Sequence, residues 1–318
     1  MATPAVEAEG LTKAYPVGHV IRSRRLALEG LDLRVEPGEI FGYLGPNGSG
    51  KTTTLKILMG LVRPDAGSAR ILGEPLESRA WRQRAGYLPE HPYLYDYLSV
   101  EEYLDFVGRL FGMGGRERLA RARQLLERVG LAQAARVSLR RCSKGMVQRA
   151  GLAQALMNDP EIVFLDEPMS GLDPVGRRLV RDVILDLRRA GRTVFFSTHI
   201  LSDAETLCDR IALLRAGKLV ASGRLDEILN LDVAHMEMLV SGLTAETLGP
   251  LEGVGAREAM GERLRLEVRE EALGAVLHAV EAAGGRVLSV QPVRQSLEDY
   301  FFKELATADA RGTWQLEA

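Results

Sequence analysis

The sequence predicts an α/β fold that is interrupted by a helical insertion and followed by a smaller α+β domain. Three observations predict it. The apolar run Ile40–Leu44 leads through a glycine-rich loop into a helical pattern, as a buried strand feeding a helix would. The apolar period changes to a helical one at Ser99, and strand-like runs return at Ile162–Leu165 and Thr193–Ser197. A second alternation of strands and helices begins near Asp232. The expected division is 1–230 for the first domain, with the helical insertion at about 90–158, and 231–318 for the second.

Taken in order, residues 11–44 alternate apolar stretches with turns, and Pro37–Gly38 turns the chain into the strand IFGYL. Thr52–Leu61 reads as a helix, and Ile71–Leu72 and Ala85–Leu88 as short strands. Ser99 with Glu102 three residues later forms a capping box that starts a mainly helical block over 100–157. Its breaks fall at Gly112–Gly115, near Gly130 and at Arg136–Cys142. A helix over 175–190 separates the two returning strands, and Ile211–Leu214 and Leu219–Ala221 flank Gly217 like a hairpin. Beyond Asp232 the expected order is strand 233–240, helix 244–249, strands 254–259 and 263–269, helix 271–283, strand 286–292 and helix 296–306. That order suits a ferredoxin-like or similar α+β domain.

Composition narrows the function. The chain has 318 residues, 46% hydrophobic and 26% charged, which is ordinary for a globular protein. A formal net charge of -2 offers no bulk basic surface, so no direct nucleic-acid partner is expected. Cys142 and Cys208 are too few for a disulfide framework or a metal cluster. Met1–Gly10 shows no signal peptide and no apolar run reaches a membrane span, so any membrane crossing is expected from a partner. Arg22, Arg24 and Arg25 form a basic cluster, read as a solvated loop in preference to a lipid or membrane-partner contact.

The strongest chemical signal is Gly45-Pro46-Asn47-Gly48-Ser49-Gly50-Lys51-Thr52, which fills every fixed position of a phosphate-binding loop. Glycines let the backbone curl so that successive N–H groups point at phosphate oxygens, and the helix start adds a favourable dipole. Lys51 is placed to reach the β- and γ-phosphates, and the Thr52 hydroxyl to ligate Mg2+. This is a P-loop NTPase pattern.

Its second half is the apolar run Ile162–Leu165 ending in Asp166 and Glu167. A carboxylate at such a strand end helps hold Mg2+, the role that fits Asp166, while Glu167 is placed to activate water as a general base. His199 follows the run Thr193–Thr198 and falls on the same sheet edge, where it can contact the γ-phosphate and position Glu167. His19, His91, His235 and His278 share no metal-ligand spacing and read as structural or surface residues.

Together GPNGSGKT at 45–52, CSKGMVQR at 142–149, IVFLDEP at 162–168, SGLDP at 170–174 and STH at 197–199 resemble the ATP-binding subunits of ATP-binding cassette (ABC) transporters. The resemblance covers residues 11–223 and implies a P-loop NTPase with an ABC-type inserted helical subdomain, using ATP and Mg2+. It implies that Gly45–Thr53 holds the nucleotide and that Tyr15 stacks on adenine. It also implies a head-to-tail dimer with a second copy or a homologous ABC ATPase. In that dimer Ser143 and Gly145 of one subunit touch the γ-phosphate held by the other, and Ser170–Asp173 couples the two sites. A separately encoded transmembrane permease would complete the assembly at the cytoplasmic face of the membrane, with this chain peripheral.

Two positions depart from the family pattern. Cys142-Ser143-Lys144-Gly145 stands where Leu-Ser-Gly-Gly is usual, and Glu90 stands where a glutamine usually contacts Mg2+ or water. AGYLPEHPYLYDYLSVEE at 85–102, SKGM at 143–146 and SLEDYFFKEL at 296–305 look most like the ABC-2 type exporter branch, whose members serve drugs, lipids, polysaccharides, ions or gliding motility. The alternatives are a soluble ABC ATPase of translation or DNA repair and a regulatory ABC protein without transport. The single motif set and the lack of a sustained heptad region weigh against the former, and retention of Glu167 and His199 against the latter.

Overall fold

The structure is a computed structural model that describes residues 3–17, 23–229, 233–294, 296–298 and 300–301. Two compact units divide the chain, Met1–Leu225 and Asp226–Ala318.

The first unit opens with a long antiparallel hairpin, β1 (Val6–Val17) and β2 (Ser23–Val35), followed by β3 (Ile40–Leu44), α1 (Lys51–Leu58), β4 (Ala66–Ile71) and β5 (Glu74–Pro75). β2, β1, β4 and β5 pair in that order as an antiparallel sheet. α1 is shorter than the expected Thr52–Leu61, because Gly60 turns into positive φ one residue beyond its cap. β4 is longer than the expected Ile71–Leu72; its first half, Ala66-Gly67-Ser68, is exposed and carries no apolar signal.

β6 (Ala85–Leu88) leads to the helical block α2 (Val100–Leu110), α3 (Gly115–Arg128) and α4 (Lys144–Ala155). Then come β7 (Ile162–Asp166), α5 (Pro174–Arg189), β8 (Thr193–Thr198), α6 (Leu201–Leu207), β9 (Arg210–Arg215), β10 (Lys218–Arg224) and the single turn α7 (Leu225–Ile228). The second sheet runs β10-β9-β3-β8-β7-β6, parallel except for β10 at its edge. Alternate residues of its strands enter opposite cores: Val163, Leu165, Val194 and Phe196 pack on one side with α5, and Ile162, Phe164, Phe195 and Phe41 on the other with α1. Burial on both faces is why these strands read as unbroken apolar runs. All the parallel strands end at one edge, so the segments after β3, β6, β7 and β8 gather there.

The capping box forms as its spacing predicts. The Ser99 Oγ accepts from the Glu102 N–H at 3.3 Å, and the Ser99 N–H donates to the Glu102 carboxylate at 2.8 Å. Bonds from the Ser99 hydroxyl and then its backbone N–H hold that carboxyl below its ordinary range. Ser99→Ala is expected to lower the melting temperature by about 2–4 °C, with nucleotide binding unchanged, in a thermal melt with paired binding titrations.

The second unit contains β11 (Val233–Ser241), the one-turn α8 (Ala245–Leu248), β12 (Val254–Met260), β13 (Arg263–Val268), α9 (Leu273–Ala282) and β14 (Arg286–Arg294). Its antiparallel sheet has the order β12-β13-β11-β14, so the first strand lies beside the last. Met238, Val240, Leu264, Leu266 and Val268 pack with Val276 and Val280 of α9 and Leu248 of α8. α8 and α9 are shorter than the expected 244–249 and 271–283, the latter because residues 270–272 form a separate 3-10 turn. Of the expected helix 296–306, residues 299 and 302–306 lie outside the described residues, as do His19 and Arg22.

Candidate active site

The loop after β3 keeps its shape because nothing larger than glycine fits. Gly45, Gly48 and Gly50 all have positive φ. A Cβ on Gly45 would lie 2.2 Å from the Leu214 carbonyl oxygen, and one on Gly50 would lie 2.4 Å from that of Ala27. Gly50 then caps α1 in the left-handed region, and Lys51 begins the helix. The Lys51 ammonium donates to the Gly45 carbonyl at 2.7 Å and the Pro46 carbonyl at 3.2 Å, and lies 3.5 Å from the Glu167 carboxylate.

Glu167 is a non-glycine residue at φ 49, immediately beyond β7. That left-handed conformation costs about 1–2 kcal/mol and turns the chain sharply after Asp166. The two neighbouring carboxylates therefore serve different partners. Asp166 accepts from the Ser197 hydroxyl at 2.7 Å and the Thr52 hydroxyl at 3.4 Å. The Glu167 carboxylate lies 2.9 Å from His199 Nδ1, and its backbone N–H donates to Ser197 Oγ at 3.0 Å. Ser197 thus ties both acids to β8. Ser197 lies within the STH motif, but spacing alone assigns it no role, because its link to β7 is made across the sheet.

Burial raises the Asp166 carboxyl above its ordinary range; the Ser197 and Thr52 hydroxyls pull it back, and the nearby charges of Glu90 and Glu167 raise it further. Among the described residues its Oδ2 is buried without a hydrogen-bond partner, as is the Ser49 hydroxyl. A buried carboxylate oxygen beside Thr52 fits a hard cation that takes few protein ligands and completes its shell with phosphate and water. No cluster of three or more His, Cys, Asp or Glu side chains that could hold a metal occurs among the described residues.

A cavity of about 580 Å3 lies over the loop, while Asp166 lines another, of about 710 Å3, that shares Thr52 and Glu90 with it. Lys51, Thr52, Thr53, Glu90, Glu167 and His199 line the first with Asn47, Gly48 and Gly50, and Tyr15 and Arg25 enter from the hairpin. Gly45, Pro46 and Ser49 complete the loop without lining the cavity. The placement of Arg25 corrects its reading as part of a solvated basic loop. Arg25 lies on β2, and the β1–β2 pairing sets it opposite Tyr15.

Ser143 and Gly145 are not brought to this cavity. They stand at the amino end of α4, where Ser143 Oγ accepts from the Met146 N–H at 3.2 Å. A Cβ on Gly171 would come within 3.1 Å of the Lys144 side chain, so this helix start abuts the SGLDP loop of the same chain. At the end of that loop Asp173 caps α5, accepting from the Gly176 N–H at 2.7 Å.

Residues 28–170 match a family model described as ABC transporter. An ABC transporter ATP-binding protein of Synechocystis is 44% identical over 311 residues, covering 94% of this chain and 84% of that one. Nod factor export ATP-binding protein I of Cupriavidus metallidurans is 38% identical over 284 residues, covering 87% and 92%. The solved dimeric post-hydrolysis state of an ATP-binding cassette, bound to ADP and Pi, superposes with a TM-score of 0.64 at 27% identity, over 69% of this chain and 98% of that one. With likeness running over nearly the whole length of its relatives, the chain belongs to the ATP-binding subunits of ABC transporters.

Proposed function

We propose that this ATPase energises a multi-subunit membrane exporter as one half of an ATP-closed dimer, with the loop and strand-end residues in the roles their positions suggest. One observation carries the reading. Lys51, Glu167 and His199 meet in one cavity, while Ser143 and Gly145, the other anion-binding element, lie outside it in the same chain. A site divided in this way is completed by a second copy or a homologous cassette, and the relative solved as a dimer supports that arrangement.

In this mechanism the loop N–H groups and Lys51 hold the triphosphate, and Tyr15 stacks on adenine. Thr52 and Asp166, with Glu90 beside them, would hold Mg2+, whose charge would offset that of the phosphates. Glu167 takes a proton from water as the water oxygen attacks the γ-phosphorus and the bond to ADP breaks. His199 holds the carboxylate in line. Contacts from Ser143 and Gly145 of the second subunit exist only while the γ-phosphate is attached, so ATP favours closure and its hydrolysis permits opening.

No helix among the described residues is long and apolar enough to cross a membrane. In this reading a separately encoded permease supplies the path and holds this chain at the cytoplasmic face. The relative that serves Nod factor export supports the ABC-2 type exporter branch. The strand order of the second unit supports a ferredoxin-like accessory domain over 231–318.

Affinity purification from detergent-solubilised membranes tests the exporter reading. The expected result is recovery of an integral membrane protein in stoichiometric amount, with ATPase activity that changes on its removal. Stable association with ribosomes or DNA, without a membrane partner, would favour the soluble alternatives.

A further inference from the structure

Arg25 stands on β2 directly opposite Tyr15 on β1. Directly opposed residues of an antiparallel pair project to the same face, with Cβ atoms about 4.5–5.5 Å apart. Both side chains line the cavity that contains Lys51. The guanidinium also reaches the phosphate-binding loop, since a Cβ on Gly48 would lie 3.9 Å from Arg25 Nη2. Arg25 makes no hydrogen bond or ion pair among the described residues. Its charge contrasts with that of Lys51, which two loop carbonyls and Glu167 already satisfy. An unpaired, planar, five-donor cation over a glycine loop is suited to phosphate oxygens.

Its position selects which phosphates. In such a loop the backbone N–H groups cradle the α- and β-phosphates, whereas the lysine at the helix start reaches the β and γ. Gly48 belongs to the cradle, and Arg25 lies above it on the side of Tyr15. We propose that Arg25 is a second cationic ligand of the nucleotide, contacting the phosphates that ADP and ATP share and not the γ-phosphate. This rests on the reading of the cavity as the ATP site. It also gives the long hairpin a purpose: strands that run past Tyr15 bring an arginine over the loop.

Full-length wild type, Arg25→Ala, Arg25→Gln and Arg25→Lys would be titrated calorimetrically with MgADP and with a magnesium complex of a non-hydrolysable ATP analogue. The Ala and Gln variants are expected to raise both dissociation constants by about tenfold, the scale of one charge-assisted hydrogen bond, and Lys to recover part of the loss. The exposed site also predicts that the difference shrinks at high salt. Unchanged affinity for both nucleotides overturns the proposal, as does a loss confined to either one. Matching circular dichroism of the four proteins shows that the fold is retained, and the Gln variant keeps the side chain's stem if Ala does not fold. Wild type that binds neither nucleotide would instead refute the ATP-site reading itself, whatever Arg25 does.

Discussion

Glu167→Gln is expected to lower steady-state ATP hydrolysis by at least about 100-fold while leaving ATP bound, the scale of a lost general base. The substitution keeps size and shape, so the left-handed turn at φ 49 and the contact 2.9 Å from His199 Nδ1 are preserved in outline. What it removes is the ability to take a proton from water. It also removes a negative charge beside the triphosphate, so ATP affinity is expected to stay level or rise. Binding without hydrolysis should trap the closed state: in gel filtration the variant runs as a dimer with MgATP and as a monomer without nucleotide. Hydrolysis by the variant at near the wild-type rate would remove Glu167 from the role of base. Slow hydrolysis without a dimer would keep the base but refute closure by a second copy.

The residues behind that prediction were legible to different degrees, for physical reasons. The loop at 45–52 could be read directly, because its constraint is local: Gly45 and Gly50 accept no Cβ, and lysine and threonine follow at fixed spacing. Asp166, Glu167 and His199 were legible one step later. Each ends an apolar run, and parallel strands buried on both faces must deliver their ends to one edge. Ser197 and Arg25 were harder, since their roles depend on contacts across the sheet and on hairpin register. β4 was half hidden because Ala66-Gly67-Ser68 is exposed and joins the sheet through backbone bonds, which leave no apolar pattern. Short helices such as Ala245–Leu248 were blurred for a related reason: one turn is too brief to establish a period.

Lys51→Ala is expected to weaken ATP binding by about 100-fold, and hydrolysis at sub-saturating ATP by at least as much, because two losses add. The direct contact to phosphate disappears, and the Glu167 carboxylate, 3.5 Å from the ammonium and mostly buried, is left in the cavity without its cation. Truncating one member of a buried charge pair costs about 2–5 kcal/mol, which spans that loss at about 1.4 kcal/mol per tenfold. Arginine is not expected to rescue it, since the ammonium sits as a point charge between the Gly45 and Pro46 carbonyls at 2.7 and 3.2 Å, a place a planar guanidinium does not match. The pair makes the prediction sharper. If part of the loss is repulsion between ATP and an orphaned Glu167, then Glu167→Gln should tighten ATP binding more in the Lys51→Ala background than in the wild type. Titration of wild type, both single variants and the double variant measures this coupling. An equal effect of Glu167→Gln in both backgrounds would mean that Lys51 serves the phosphates alone and that its approach to Glu167 has no energetic consequence. A larger gain in the Lys51→Ala background would show that the lysine also holds the base in check, so the site opens its catalytic carboxylate only where phosphate draws the ammonium away.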